Sequence, residues 1–248
     1  VYDQTRLTFG REYIIPKPFD PRLISTIPVA VAKAAIESGV ATEPIKDWER
    51  YTEELSGRLG NSQKMVRLLH DRAKAAPKRL VFAEADQMDV LKAAQIVHEE
   101  GIAIPILLGN KATIDDLRAA INFDDEVEII DPKEEAHKAQ RDHYADLFWK
   151  DQRRKGYTLY DAQRLMRERN YYASMMIKNR DADAMISGYS RNYRSVVKPI
   201  LETISKAKGV SRVAATNLML TKSGTLFLSD TTINVDPTAK ELTKIAQL

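Results

Sequence analysis

The chain of 248 residues contains no cysteine, which excludes disulfides, thiolate catalysis and cysteine-based zinc sites together. It has no apolar run near the ~18 residues that a membrane-spanning helix needs. No Gly-x-Gly-x-x-Gly fingerprint occurs, so this segment lacks that type of dinucleotide-binding turn. The four histidines, His70, His98, His137 and His143, are scattered along the chain, whereas a metal needs converging ligands. The formal net charge of +3 is too small to argue for a nucleic-acid partner. The first residues are polar and mixed in charge, without the pattern of a signal peptide. The expectation is a cytoplasmic protein with neither a nucleic-acid nor a membrane partner.

What is present is ordinary in amount and uneven in placement. An apolar share of 44% and a charged share of 29% are those of a soluble globular chain. The length suits one large domain, or one domain with appendages. Between Ala184 and Val213 six basic residues stand against one acid, Glu202; between Lys150 and Arg180 nine stand against three. Such surpluses describe either solvated helix faces or a basic cleft for a phosphorylated ligand.

The spacing divides the chain into two styles. Asp20-Pro21 predicts a helix start running through an alanine-rich stretch to Gly39, a typical left-handed terminal position. Two further helices are predicted over Ile45–Arg58 and Ser62–Ala75, with Tyr51, Leu55 and Leu59 on one face of the first. Gly57, Gly60 and Asn61 mark a hinge or linker. From Arg79 strands and helices alternate. Strands are predicted at Leu80–Ala83, Ile104–Leu108, Val127–Ile130, Ala184–Ser187, Val213–Leu220 and Thr225–Ser229. Helices are predicted at Asp86–Glu100, Lys111–Ile121, Lys133–Gln152, from Thr158 into Tyr171–Asn179, and at Ser195–Ala207. Asp236-Pro237 predicts one more, with Leu242, Ile245 and Ala246 on its apolar face. Short apolar runs between helices predict an α/β fold, a mainly parallel sheet flanked by helices and preceded by a helical linker region.

A ligand site is expected where Ser187-Gly188 ends a strand. Glycine permits a tight turn and close approach of a ligand, and ligands of open α/β sheets bind at the carboxyl ends of strands. Arg191, Arg194 and Lys198 follow within one loop and a helical turn; arginine grips phosphate bidentately, lysine acts as a point charge. Other candidates are weaker. His98 reads as packing or surface. Asp142 and Asp146 with His143 read as a solvated helix face. Glu84 and Asp86 stand at a strand end, with Asp86 read as a helix cap. Lys17, between two prolines, reads as structural. Trp48, Trp149, Tyr171 and Tyr172 read as core or interface aromatics.

Several passages carry a resemblance. Tyr13-Ile-Ile-Pro-Lys-Pro-Phe-Asp-Pro-Arg-Leu23 followed by Val29-Ala-Val-Ala-Lys-Ala-Ala-Ile-Glu-Ser-Gly-Val-Ala41 resembles the tail of the malic domain in large bacterial NADP-dependent malic enzymes. Pro77-Lys-Arg-Leu-Val-Phe-Ala-Glu84 resembles the start of a phosphate acetyltransferase domain. Ala182-Asp-Ala-Met-Ile-Ser-Gly188, Val197-Lys-Pro-Ile-Leu201, Gly224-Thr-Leu-Phe-Leu-Ser-Asp230 and Asn234-Val-Asp-Pro-Thr-Ala-Lys-Glu-Leu242 are similar to later segments of that domain. Hybrid malic enzymes join the two in this order. The resemblance assigns residues 1–60 to the malic tail and linker helices and 61–248 to the acetyltransferase-like domain. Both ends of the chain are then expected to be cut edges of a longer polypeptide.

This resemblance implies a regulatory module that binds acetyl-CoA and assembles a homo-oligomer. Catalysis on malate, with NADP and a divalent metal (Mg or Mn), is implied for a malic domain upstream. The expected ligand residues are Ser187, Gly188, Arg191, Arg194, Lys198 and Arg153; none is expected to be catalytic or to bind metal. The departures matter. Lys198 stands where the family has arginine before proline, Arg191-Asn-Tyr-Arg194 where it commonly has histidine and small hydroxyl residues, and Gln152 where it has a second catalytic arginine, with Arg153 beside it. A neutral amide there removes transition-state stabilisation for an acyl phosphate. The family's Asn-Asp-Leu-Ser-Arg-Gly type passage is absent from the chain. The alternatives are an active phosphate acetyltransferase, exchanging acetyl between CoA and phosphate, and a purely structural dimerisation domain.

Overall fold

A computed structural model describes residue 14 and residues 23–58, 61–221, 224–230 and 232–247. Contacts divide the chain into two compact units, residues 71–208 and residues 1–70 with 209–248.

The first unit is organised by β1 (Lys78–Phe82), which pairs in parallel with β2 (Ala103–Leu108) on one side and β4 (Ala184–Ile186) on the other; β3 (Glu128–Ile130) adds to β2, giving the order β3-β2-β1-β4. Period-2 alternation sends successive side chains to opposite faces, and the core follows it. Val81, Ile106, Leu108 and Ile130 pack with Tyr144 and Phe148 of α6 (Lys138–Gln152), Ala162 of α7 (Leu159–Leu165), and Tyr172 and Met175 of α8 (Arg169–Asn179). Phe82 and Leu107 pack on the other face with Leu91 and Ala94 of α4 (Met88–Glu99) and Ile114 and Ile121 of α5 (Lys111–Ile121). A sheet covered on both faces requires continuous apolar strands, which is why these short runs are legible. The expected α/β class is the observed one.

Local chemistry sets most helix ends. Asn110 caps α5 by accepting from Thr113 N, and Asn122 closes it in the left-handed region. Thr158 and Asp161 form a capping box at α7, and Glu168 caps α8 by accepting from the amides of Asn170 and Tyr171. Thr158 thus starts one helix and Glu168 a second, with a turn between. The predicted helix over Lys133–Gln152 is a short 3-10 turn at Glu135–His137 followed by α6. The helix predicted to reach Ala207 is α9 (Tyr193–Thr203), capped by Asn192 and ended by the extended backbone of Ile204.

One expectation is overturned by a long-range partner. Asp86 does not cap α4: the N-cap is Gln87, which makes no side-chain cap bond, while Asp86 pairs with Arg169 at the start of α8. The His98 ring lies 5.9 Å from that of Phe123, and its Nε2 3.8 Å from Asp125, the contacts of a packing and surface residue.

The second unit contains α1 (Leu23–Glu37), α2 (Trp48–Gly57), most of α3 (Asn61–Ala75), the antiparallel pair β5 (Thr216–Thr221) and β6 (Gly224–Ser229), and α10 (Ala239–Ala246). Leu55 and Ile245 are buried within it, and Lys33 lies over the ring of Trp48. Its last helix begins at Thr238, not at Asp236-Pro237: Thr238 and Glu241 form a capping box, and Asp236 has φ 51°. Of the predicted apolar face of α10, Ile245 is buried, while Leu242 and Ala246 are exposed. Lys17, Asp20, Pro21, Leu59 and Gly60 lie outside the described residues. Among those described, no helix is long and apolar enough to cross a membrane.

Candidate functional site

Strand order reverses at β1, because β2 and β3 extend the sheet one way and β4 the other. Ligands of open parallel sheets bind beside such a reversal, beyond the carboxyl ends of the strands. Three partnerships build that edge. Glu84, only 1% exposed, accepts from the amides of Tyr189 (2.8 Å) and Ser190 (3.0 Å) through Oε2, tying the end of β1 to the loop after β4. Ser187 donates its hydroxyl to Oδ1 of buried Asn170 at 2.8 Å, and Asn170 donates to the Ser195 carbonyl at 3.3 Å. Arg169 holds Asp86 bidentately at 2.7 and 2.8 Å, and this hydrogen bonding lowers the Asp86 carboxyl from its ordinary value. Gly188, at φ 107°, makes the turn in a conformation that L side chains rarely adopt.

Beyond these strand ends lies a cavity of about 320 Å³. Its basic lining is Lys133 from the segment after β3, Arg164 from α7, Arg167 from the turn that follows, Arg169 from the start of α8, and Arg191 from the loop after β4. Its acidic lining is Asp131 and Glu168. Asp131 is engaged: Oδ1 accepts from the Lys133 amide at 2.9 Å and Oδ2 from the Asn110 side chain at 3.4 Å. Glu168 caps α8, and burial pushes its carboxyl up from the ordinary value.

A separate cluster forms around Glu202 of α9. Tyr171 and Tyr157 donate their hydroxyls to its carboxylate at 2.5 and 2.9 Å, and Lys198 stands 3.7 Å from it. Both phenols are raised in pKa, first by burial and then by bonding to the carboxylate. Gln152, 7% exposed, donates to the Glu202 carbonyl at 2.6 Å, and its own Oε1 is buried without a partner. The charge on this cluster is therefore carried by the carboxylate and Lys198, and position 152 contributes none.

The six residues expected to bind ligand are thus distributed. Arg191 lines the cavity; Ser187 and Gly188 shape the loop leading to it. Arg194 is exposed on the first turn of α9. Lys198 belongs to the Glu202 cluster, and Arg153 lies over the Trp149 ring, 5.6 Å from its centroid. Sequence reasoning missed Lys133, Arg164, Arg167 and Arg169. The signal for the three arginines was the basic surplus between Lys150 and Arg180, which linear spacing alone does not group with Arg191; Lys133 lies outside that stretch and had no such signal. Among the described residues no three His, Asp or Glu side chains converge as metal ligands.

Comparison with known proteins agrees with this architecture. The family model described as phosphate acetyl/butaryl transferase matches residues 64–248. The NADP-dependent malic enzyme of Rhizobium meliloti (strain 1021) is 35% identical over 99% of the chain, which covers 32% of that protein. The phosphate acetyltransferase of Nitratidesulfovibrio vulgaris is 31% identical over 72% of the chain and 25% of that protein. A crystal structure of a phosphotransacetylase from Streptococcus pyogenes superposes with a TM-score of 0.66 at 29% identity, over 74% of this chain and 56% of that one. The chain spans about a third of the length of its malic enzyme relative. By the extent of the family match and the passages from Lys78 onward, the chain belongs to the phosphate acetyl/butaryl transferase family.

Proposed function

We propose that this chain is part of an NADP-dependent malic enzyme, which oxidatively decarboxylates malate to pyruvate, and that this segment is its regulatory and oligomerisation module, binding acetyl-CoA. The observation that carries the regulatory reading is Gln152. A transferase of acyl phosphate needs fixed positive charge where negative charge develops; here a neutral amide is buried and bonded to a backbone carbonyl beside a carboxylate. The malic enzyme relative aligns over 99% of the chain against 72% for the acetyltransferase, which supports the malic reading of the helical first part.

In this reading NADP and the divalent metal belong to the malic domain and supply hydride acceptance and carbonyl polarisation there. Acetyl-CoA acts by binding one global state better than another, through Ser187, Gly188, Arg191, Arg194, Lys198 and Arg153. The test uses the full-length protein. Malate-dependent NADP reduction is measured against acetyl-CoA, alongside acetyl phosphate formation from acetyl-CoA and phosphate. Inhibition without acetyl phosphate is expected. Formation of acetyl phosphate at enzymatic rates sinks the regulatory-only reading, and malate turnover indifferent to acetyl-CoA removes it as the effector.

A further inference from the structure

We propose that the cavity beyond β2, β3 and β4 is a binding site for a polyvalent phosphate group, a phosphomonoester or diphosphate, gripped by Lys133, Arg167 and Arg191. This deepens the regulatory reading, and rests on it only for the identity of the natural ligand.

Charge accounting points to the ligand class. Five cations and two carboxylates line the cavity. Arg169 is neutralised by Asp86 in a half-buried bidentate pair, and Arg164 has Asp161 at 3.8 Å. Lys133, Arg167 and Arg191 make no ion pair among the described residues, yet three separate chain segments bring them to one concavity. Holding three like charges around a common space is unfavourable unless an anion shares it. A single carboxylate leaves two of the charges uncompensated; a doubly or more highly charged phosphate does not.

The two acidic groups in the lining do not cancel this. Asp131 already accepts from an amide and a side-chain amide. Glu168 already accepts from the amides of Asn170 and Tyr171 through Oε2 as the cap of α8. The Asp86 pair has a further effect, since it fixes Arg169 and with it the start of α8 immediately after Arg167 and Glu168. Guanidinium groups presented from a fixed backbone suit multivalent oxyanions. The cavity volume of about 320 Å³ is at the low end for small-molecule sites, which suits the phosphate-bearing end of a ligand.

The experiment is isothermal titration calorimetry of the full-length protein at low salt with inorganic pyrophosphate, acetate and acetyl-CoA as separate probes. Pyrophosphate is expected to bind and acetate not to bind over the same range. Arg167→Gln and Arg191→Gln are each expected to weaken pyrophosphate about tenfold or more, through loss of charge-assisted hydrogen bonds, with Arg167→Lys losing less. Lys133→Gln gives the same readout should either arginine variant fail to fold. Failure of wild-type protein to bind pyrophosphate, or wild-type affinity in all three glutamine variants, overturns the assignment. Acetyl-CoA binding by wild-type protein that does not bind pyrophosphate overturns the cavity and leaves the regulatory reading standing. Pyrophosphate binding without acetyl-CoA binding supports the cavity and removes acetyl-CoA as the effector.

Discussion

Asp86→Ala tests how the edge of the sheet is held. The Asp86 and Arg169 side chains are 17% and 19% exposed, and two bonds of 2.7 and 2.8 Å join them. Exposed ion pairs contribute ~0–1 kcal/mol; removing one partner of a buried pair costs ~3–5 kcal/mol, because the other charge is stranded. Burial here is intermediate between those cases, so the loss expected for Asp86→Ala is about 2–3 kcal/mol, roughly 30- to 150-fold in the unfolding equilibrium. Asp86→Leu combined with Arg169→Met is expected to recover most of that loss, since no stranded charge remains. The assay is chemical denaturation of wild type, both single variants and the double variant, read as a double-mutant cycle.

The pH dependence supplies a second check. The folded carboxyl of Asp86 lies below its ordinary value because Arg169 bonds to it. The stabilisation is therefore present above the unfolded pKa of about 3.9 and is lost as pH falls through the lower folded pKa. Wild type and Asp86→Ala should converge in stability only in that acid range. A coupling below about 0.5 kcal/mol at neutral pH, the level of an exposed pair, refutes the reasoning.

Other outcomes follow from the same structure. Thr158→Ala removes the capping box of α7 and is expected to cost about 1 kcal/mol, read from the denaturation midpoint; Thr158→Ser should retain most of it. Tyr172 is pushed up to about 12, chiefly by burial, and Tyr144 and Tyr171 are raised as well, with burial the largest cause and bonds to Asp181 and Glu202 adding to it. These phenols keep their protons in the folded state where the unfolded chain releases them near pH 10. Their contribution is complete below that pH and declines as pH rises toward the folded values. Ultraviolet titration should show a late-ionising class of tyrosine that disappears on unfolding; titration of all ten near pH 10 in the folded protein contradicts this.

Elements that depend on neighbours in sequence were readable, and elements that depend on distant partners were not. The bounds of α5 were legible because its cap, apolar face and C-terminal Asn122 all lie within one short stretch. Asp86 was misread for the opposite reason. Its sequence position suits a cap, but Arg169, 83 residues away, offers a charged partner that the local amide does not match. Asp236-Pro237 likewise suits a helix start by sequence, but the helix begins at Thr238, whose capping box satisfies two groups reciprocally. Tyr171 and Tyr172, read as core or interface aromatics, are buried, since large side chains within a helical apolar pattern are covered wherever that helix packs.

Residue order alone determined the class of fold, the basic surplus and the neutral residue at position 152, because alternation, charge and residue type are properties of local sequence. Only the tertiary structure decided which cations share a space. Lys198 and Arg153, expected to bind ligand, stand beside Glu202 and Trp149. Arg191 instead shares a cavity with Lys133 and Arg167. The reason is physical: parallel pairing brings the ends of β2, β3 and β4 to one edge of the sheet, and residues far apart in the chain become neighbours where those strands end.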